Sequence, residues 1–410
     1  MSRGLLTINV IDKETQYAIK GAKVAVYYMH RKTNEWEKLC DNLQTDISGQ
    51  IRKIRVFAPE LVLSQVPENI ERPYSRYAIE VTKEGYDTEK IVGIQVLPCI
   101  EAIQNVELQK IGKAKGIQLI EYDIEDHILF KGYEPKIMED EIKPTYVLSK
   151  VVVPEFIIVH DGLPTNNSAK DYWIYFKDYI KNVASSEIYA TWPKSTIYSN
   201  IVAIISFTLN RVYTEWYKNQ GHKFTITSTT QYDHKFIYNR NIFDTIDRAV
   251  DDIFNLYVTR GSQRQPLLTQ YCDGKQSQCP GVMTQWGSKD LGDRGYSFDQ
   301  ILEYYYGYDI EYHRAPVISG VPSSYPGYDL SRGSRGEEVK VIQKQLNGIS
   351  KGYPAIGKLD EDGIYGQKTE ESVKIFQKTF NLPQTGVVNF ATWYEISRVY
   401  VAVSKIGAYQ

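Results

Sequence analysis

Residues 186–209, Ser186-Glu187-Ile188-Tyr189-Ala190-Thr191-Trp192-Pro193-Lys194-Ser195-Thr196-Ile197-Tyr198-Ser199-Asn200-Ile201-Val202-Ala203-Ile204-Ile205-Ser206-Phe207-Thr208-Leu209, decide how the middle of this chain folds. Ile197, Ile201, Ile204, Ile205, Thr208 and Leu209 recur at helical spacing, so a long apolar helix is expected from Thr196 to Trp216 at the centre of its domain. Just before it, Tyr175 to Val183 leads into an amphipathic segment that ends with a single carboxylate, Glu187, beside the aromatic Tyr189 and Trp192. Upstream, Pro154 to His160 reads as a buried strand. Downstream come Phe224 to Thr227, a helical stretch near Asp244 to Tyr257, the run Gln265 to Tyr271, and a short helix Phe298 to Tyr306 stopped by Gly307. This pattern makes residues 151–318 an α+β domain.

Residues 1–112 have a different period. Leu6 to Asp12, Gly21 to Tyr28, Tyr77 to Val81 and Ile103 to Leu108 alternate in steps of two, with turn chemistry at Thr45 to Gly49 and Lys83 to Tyr86. A small antiparallel sandwich is expected. Residues 113–150 are acidic at Glu121 to Asp126 and Glu139 to Glu141 and are broken by Pro135 and Pro144. Such a stretch buries little surface alone. It reads as a linker or, more sharply, as a propeptide that lies over the groove of the next domain and is removed near Lys150. A Pro/Gly-rich boundary at residues 319–329 separates the middle domain from a compact helical unit over residues 330–410.

With 410 residues and a net charge of -2, the chain has room for two to four cores and no basic excess, which argues against nucleic acid as a partner. Its 33 tyrosines offer flat rings with a hydroxyl tip, suited to sugar faces and equally to ordinary packing. The four cysteines, Cys40, Cys99, Cys272 and Cys279, are too scattered for a disulfide scaffold; Cys272 and Cys279 are open to a disulfide, to a metal site with His234, or to neither. No apolar run reaches the ~20 residues of a membrane span, and Met1 to Leu6 runs straight into strand-like sequence, so synthesis without an export signal is expected.

In the helical unit, Leu330 to Val339 leads into Ile342-Gln343-Lys344-Gln345-Leu346. Asp362-Gly363-Ile364-Tyr365-Gly366 then opens a helix through Phe376-Gln377, and Leu382 to Val388 turns into a third near Thr392-Trp393. These residues resemble the three-helix peptidoglycan-binding domain, with its glycines, Gln343, Gln377 and Trp393 in their usual places. The order Gly-Ala-x-Val, Thr-Asp-x-x-Gly, Gly-Tyr in residues 1–112 resembles the carboxypeptidase-regulatory or transthyretin-like sandwich.

Glu187 to Leu209 is similar to the SpoIID-type lytic transglycosylase family. Glu187 stands where that family has its catalytic glutamate, Trp192-Pro193 where it has an aromatic-proline pair, and Asn200 where it has an amide. Gln231-Tyr232 and Gly281 to Gly307 match its later elements. Two positions depart: Ile205 replaces an arginine, and Cys279-Pro280-Gly281 replaces a glycine-histidine pair.

With its sandwich ahead and wall-binding unit behind, the chain most resembles the clostridial spore cortex-lytic enzymes. That resemblance implies a precursor made in the mother cell without a signal peptide, stored in the cortex or coat region of the spore and activated by a protease at germination. It also implies cleavage of cortex glycan strands to 1,6-anhydromuramic ends. In this reading Glu187, kept protonated by an apolar wall such as Trp192 or Tyr189, is the catalytic acid. Gln231, Gln285, Trp286, Lys289, Trp192 and Tyr305, the last within a Tyr304 to Tyr306 platform, contact the sugar. The stretch Cys279 to Lys289 is expected as a turn-rich loop. Asp178, Asp233, Asp273 and Asp290 are the choices for a second carboxylate, and no cofactor or metal is expected. An amidase cutting the stem peptide and a non-catalytic wall-binding or morphogenetic protein are the competing readings, separable by their products.

Overall fold

The computed structural model describes residues 2–112, 116–137, 147–317 and 325–404. Glu139 to Glu141, Pro144, Gly320 and Pro322 therefore lie outside the described residues. The sheet-rich N-terminal region is a sandwich. One sheet holds β1 (Ser2–Asp12), β4 (Gln50–Ala58) and β7 (Glu101–Leu108); the other holds β2 (Lys23–Met29), β3 (Trp36–Gln44), β5 (Ser75–Thr82), β6 (Thr88–Val96) and β8 (Leu119–Asp123). The alternating positions Leu6, Ile8 and Val10 of β1 and Val24 and Val26 of β2 meet in the core with no exposure. At the turn before β4, Gly49 has φ +73°, and a Cβ there would lie 2.4 Å from the Val10 carbonyl oxygen, so the turn needs glycine.

Two features depart from the expected antiparallel sandwich. β1 pairs with β7 in parallel, and β6 with β8 in parallel, because the chain changes sheets before β7 and then returns along the far edge of β6. The second pairing means that the acidic stretch is not a free linker: residues 119–123 complete the sandwich, and residues 124–137 cross onto the middle domain.

The middle region opens with β9 (Phe156–His160) and β10 (Asp171–Tyr175), which with β11 (Ile226–Thr227) form a small sheet. Its helices are α1 (Phe176–Glu187), α2 (Lys194–Tyr213), the short α3 (Trp216–Asn219), α4 (Asp244–Ile253), α5 (Gln285–Asp293) and α6 (Phe298–Tyr306). Helix α2 is apolar or small on every side and is buried along nearly its whole length. Two of its buried hydroxyls bond back within the helix: Ser206 Oγ donates to the Val202 carbonyl and Thr208 Oγ1 to the Ile204 carbonyl. β13 (Leu256–Arg260) pairs with β16 (Ile310–Arg314), and β14 (Tyr271–Cys272) with β15 (Met283–Thr284). The strand β12 (Ile242–Phe243) belongs to the middle region in sequence, yet it pairs with β7 and becomes the fourth strand of the first sandwich sheet.

The C-terminal helices α7 (Glu337–Ser350), α8 (Gln367–Thr379) and α9 (Phe390–Ser404) enclose a separate core around Leu346, Phe376 and Trp393. Tyr325 already packs edge-on to Phe390 and Trp393, so this unit begins inside the stretch expected as a linker. Gln343 and Gln377 each hold a glycine turn: Gln343 Oε1 accepts the Gly363 amide at 2.9 Å, and Gln377 Oε1 the Gly386 amide at 2.8 Å. Their place in the sequence pattern therefore has a structural cause.

A buried ionic lattice joins the middle domain to α9. Lys177 bridges Asp251 and Glu395 at 2.6 and 2.8 Å, Lys181 bridges Asp247 and Asp251 at 2.6 and 2.9 Å, and Arg398 binds Glu395. Removing Lys181 would leave the buried Asp247 without a cation and Asp251 with Lys177 alone, and Lys181→Ala is expected to destabilise the protein by about 3–5 kcal/mol. Urea unfolding of variant and wild type measures this, and a loss below about 1 kcal/mol is the range of an exposed pair instead.

Candidate active site

Glu187 is the last residue of α1, and the chain leaves the helix at once, with Ile188 extended at φ −132°. This geometry turns the carboxyl inward, to 1% exposure. Two donors hold its two oxygens. The Lys235 backbone amide donates to Oε1 at 2.6 Å and the Tyr271 hydroxyl to Oε2 at 2.5 Å, while Gln285 Nε2 stands farther from Oε2 at 3.4 Å. The loop that carries Lys235 is fixed to α1 by Asn182, whose side chain donates to the Ile237 carbonyl at 2.8 Å and accepts the Ile237 amide at 3.0 Å. Tyr271 is placed by the β14–β15 pairing, and the disulfide between Cys272 and Cys279 closes the loop after it.

Around the carboxyl stand Tyr133, Tyr179, Tyr271 and His234, all buried. His234 lies 5.7 Å from the Tyr271 ring in a stacked arrangement, and its Nδ1 is 3.1 Å from the Tyr179 hydroxyl. Burial, with Lys136 and Arg211 nearby, pushes the His234 pKa well below its ordinary value, so the ring is neutral. Burial pushes Glu187 above its ordinary value, against the opposing pull of Lys136, the Tyr271 hydroxyl and the Lys235 amide. Burial among these rings thus favours the protonated form of Glu187, the form a proton donor needs.

A roof closes the site. After β8 the chain runs from Ile124 to Ile137 over Glu187, between the loop at 228–235 and the loop at 271–277. The Ile137 amide donates to the Gln231 carbonyl at 2.7 Å, and Gln276 Nε2 donates to the Ile128 carbonyl at 2.9 Å. Lys136 Nζ donates to the Asp233 carbonyl at 3.0 Å and rests 4.6 Å from the centre of the Tyr271 ring. Ile128 and Tyr133 pack on the disulfide.

The expected site residues divide. Glu187 and Gln285 come together. Gln231 is tied to the roof only through its backbone carbonyl, which accepts the Ile137 amide. Trp192 and Trp286 lie 4.9 Å apart with their rings tilted by 57°, Tyr189 is edge-on to both, and the Trp192 indole N–H is bonded to the Ser64 carbonyl of the sandwich at 2.8 Å. Trp192, Trp286 and Tyr189 thus form an aromatic cluster that is tied to the sandwich through Ser64. Lys289 is 6% exposed and pairs with Asp293 along α5, a helical i,i+4 neighbour. The tyrosine platform is broken up: Tyr304 is exposed, Tyr306 donates to the Gln270 carbonyl, and Tyr305 presses its hydroxyl against Gly287 and Thr284.

The supposed loop Cys279 to Lys289 is a loop only to Val282. Residues 285–293 are helical because β15 delivers the chain directly into α5, whose Trp286 amide is capped by the Asp273 carbonyl. Of the second carboxylates considered, Asp233 is locked to Arg211 at 2.8 Å and to the Tyr217 hydroxyl at 2.6 Å. Asp273 accepts the amides of Lys275, Gln276 and Ser277, and Asp178 and Asp290 face the guanidinium groups of Arg398 and Arg294. None of the four reaches Glu187 in the described residues.

Tyr271, the Lys235 amide, His234 and Lys136 were not singled out as site residues from the sequence. Ile205 fills the core in place of the family's arginine, and Asn200 ties α2 to α5 through Ser288 Oγ at 2.8 Å.

Comparison with known proteins gives first a class of module. The peptidoglycan binding domain family matches residues 335–396, the three-helix unit, so the chain carries a wall-polymer-binding domain and has peptidoglycan as a partner. No curated protein matches the chain. Among solved structures, 3-chlorocatechol 1,2-dioxygenase from Rhodococcus opacus 1CP is similar at 11% identity, covering 27% of this chain and 61% of that one, with a TM-score of 0.19. Catechol 1,2-dioxygenase from Acinetobacter sp. ADP1 follows at 12% identity, 29% and 58% coverage and 0.18, and Klebsiella pneumoniae 5-hydroxyisourate hydrolase at 16%, 27% and 92%, and 0.17. The chain thus spans about six tenths of the two dioxygenases, and likeness this slight assigns no fold. Among the described residues, no helix is long and apolar enough to cross a membrane.

Because folding favours the protonated Glu187, the stability this group contributes is complete below about pH 4 and is lost as pH rises through its folded value. Glu187→Gln, neutral at every pH, is expected to leave stability nearly unchanged at pH 4 and to raise it by on the order of 1 kcal/mol at pH 8. Urea unfolding at the two pH values measures this, and equal changes at both would argue that the carboxyl is not held neutral.

Proposed function

We propose that this protein is a peptidoglycan lytic transglycosylase stored as a closed precursor, acting on spore cortex glycan and opened by proteolysis between residues 138 and 150. The observation that carries the reading is the buried carboxyl of Glu187, pushed above its ordinary pKa and hydrogen-bonded to no second carboxylate among the described residues, in a chain that also carries a peptidoglycan-binding domain. Most glycosidases need two carboxyl groups. Formation of a 1,6-anhydro ring needs one, because the nucleophile belongs to the substrate.

In this chemistry Glu187 protonates the glycosidic oxygen as the bond from muramic C1 to that oxygen breaks. The muramic C6 hydroxyl attacks C1, the C1–O6 bond forms, and the hydroxyl proton passes to the Glu187 carboxylate, restoring the acid. The Tyr271 hydroxyl and the Lys235 amide then hold the carboxylate during the interval in which it is charged. Water takes no part, because the nucleophile is the substrate's own C6 hydroxyl. Gln231 and Gln285 border the space that a sugar would enter once residues 124–137 leave. The same departure removes Lys136, whose ammonium favours the ionised and inactive form of the acid. The spore location rests on the family resemblance.

Cortex fragments released by the protein after the cut within residues 138–150 and removal of its N-terminal fragment are expected to carry anhydromuramic ends, and Glu187→Gln to lower their release at least about a thousandfold. Mass spectrometry reads the products. Anhydro ends that persist in the variant remove Glu187 from the chemistry, free stem-peptide amines indicate an amidase, and no products from either protein indicate a wall-binding role.

A further inference from the structure

The link between residues 137 and 147 is one connection among many between the N-terminal region and the rest of the chain. β12 adds to β7 with Ile242 opposite Ile103 and Phe243 opposite Ala102, so a strand from the middle domain finishes the sandwich sheet. Beside it, the buried Asn241 side chain imitates a strand: its Oδ1 accepts the Gln95 amide at 2.9 Å, and its Nδ2 donates to the Gln95 carbonyl at 3.0 Å. Gln104 donates to the Asn239 carbonyl at 3.0 Å, and the Trp192 indole to the Ser64 carbonyl at 2.8 Å. His127 lies 4.4 Å from the Tyr189 ring. The sandwich and middle domain share one continuous apolar core, in which Val96, Leu97 and Ala102 belong to the same cluster as Phe243 and Ile246.

The sandwich also touches the C-terminal unit. Gln50 donates to the Thr379 carbonyl at 2.8 Å and the Ala18 amide to the Gly352 carbonyl at 3.1 Å, while the Tyr17 ring sits so close to Gly352 that a Cβ there would lie 2.4 Å from it.

We infer that residues 2–137 are built to remain bound as a separate subunit after the chain is cut, so that a cut alone leaves Glu187 roofed and a second event must pull the fragment away. Cutting a linker removes only the effective concentration that tethering supplies, on the order of millimolar for a short connection, and touches none of the buried contacts. An interface with a shared core and paired backbone groups holds without the tether at micromolar protein. The inference rests on the closed-precursor reading for the place of the cut and for nothing else.

The test is made on the whole protein carrying a specific protease site within residues 139–146. A denaturing gel establishes that cutting is complete, and size exclusion and native mass spectrometry then follow the two pieces at micromolar concentration. Co-elution at the mass of the intact chain is the expected result, and separation of the pieces directly after the cut overturns the inference. Asn241→Ala, which strands both Gln95 backbone groups, is expected to weaken retention about tenfold. Hydrogen exchange at residues 228–237 reads the roof: the Lys235 amide stays protected in the cut complex, and fast exchange while the pieces remain together overturns the second clause. Neither readout uses glycan products, so failure here leaves the Glu187 chemistry standing or falling on its own experiment.

Discussion

A carboxyl group removed from water must be paired, hydrogen-bonded or neutral, and the surroundings of Glu187 are organised around that requirement. The end of α1 points the side chain inward, Asn182 brings the Lys235 amide to one oxygen, and the β14–β15 pairing brings the Tyr271 hydroxyl to the other. Both partners donate, so they support the carboxylate as well as its protonated form. Burial works in the opposite direction and prevails. The balance gives an acid that keeps its proton without being unable to release it, and everything nearby serves to keep water from disturbing that balance.

That exclusion is shared between two regions. The tyrosine and histidine rings of the middle domain form the walls, and the crossing from Ile124 to Ile137 forms the roof. The roof hangs from β8, which is zipped to the sandwich, and the sandwich is fastened to the middle domain by a strand exchanged in the other direction. Each region therefore finishes the other's structure. The wall-binding helices complete a triangle of contacts, with polar bonds to the sandwich and a buried ionic lattice to α1 and α4.

Much of this was legible from residue order. The long helix, the helix ending at Glu187, the alternating strands β1, β2, β5 and β7, and the three wall-binding helices all carry strong periods or glycine turns. β3 gave no signal because it is an edge strand whose side chains are almost all exposed, so Trp36 to Gln44 lacks an apolar face. The helix α5 was hidden by Gly287 and Gly292, which look like turn residues; both occupy close helix contacts, where a Cβ would lie 2.1 Å from the Tyr305 hydroxyl or the Thr196 hydroxyl. At the candidate site, Glu187 was singled out by a resemblance to the SpoIID-type transglycosylases, whereas the Lys235 contact is a backbone amide and leaves no side-chain signature. Tyr271 is one of many tyrosines until β14 and β15 pair, and Lys136 acts from a stretch with no period at all.

The lattice of Lys177, Lys181, Arg398, Asp247, Asp251 and Glu395 has a mechanical meaning. An ion network whose lysines and carboxylates are buried tolerates little sliding, because displacement leaves a charge facing apolar atoms. The domain that grips the polymer is thus mounted stiffly on the domain that holds Glu187, with no swivel between them. A molecule anchored at one place along a wall strand would hold that carboxyl at a set reach from the anchor, like the jaw of a fixed gauge rather than a tethered blade.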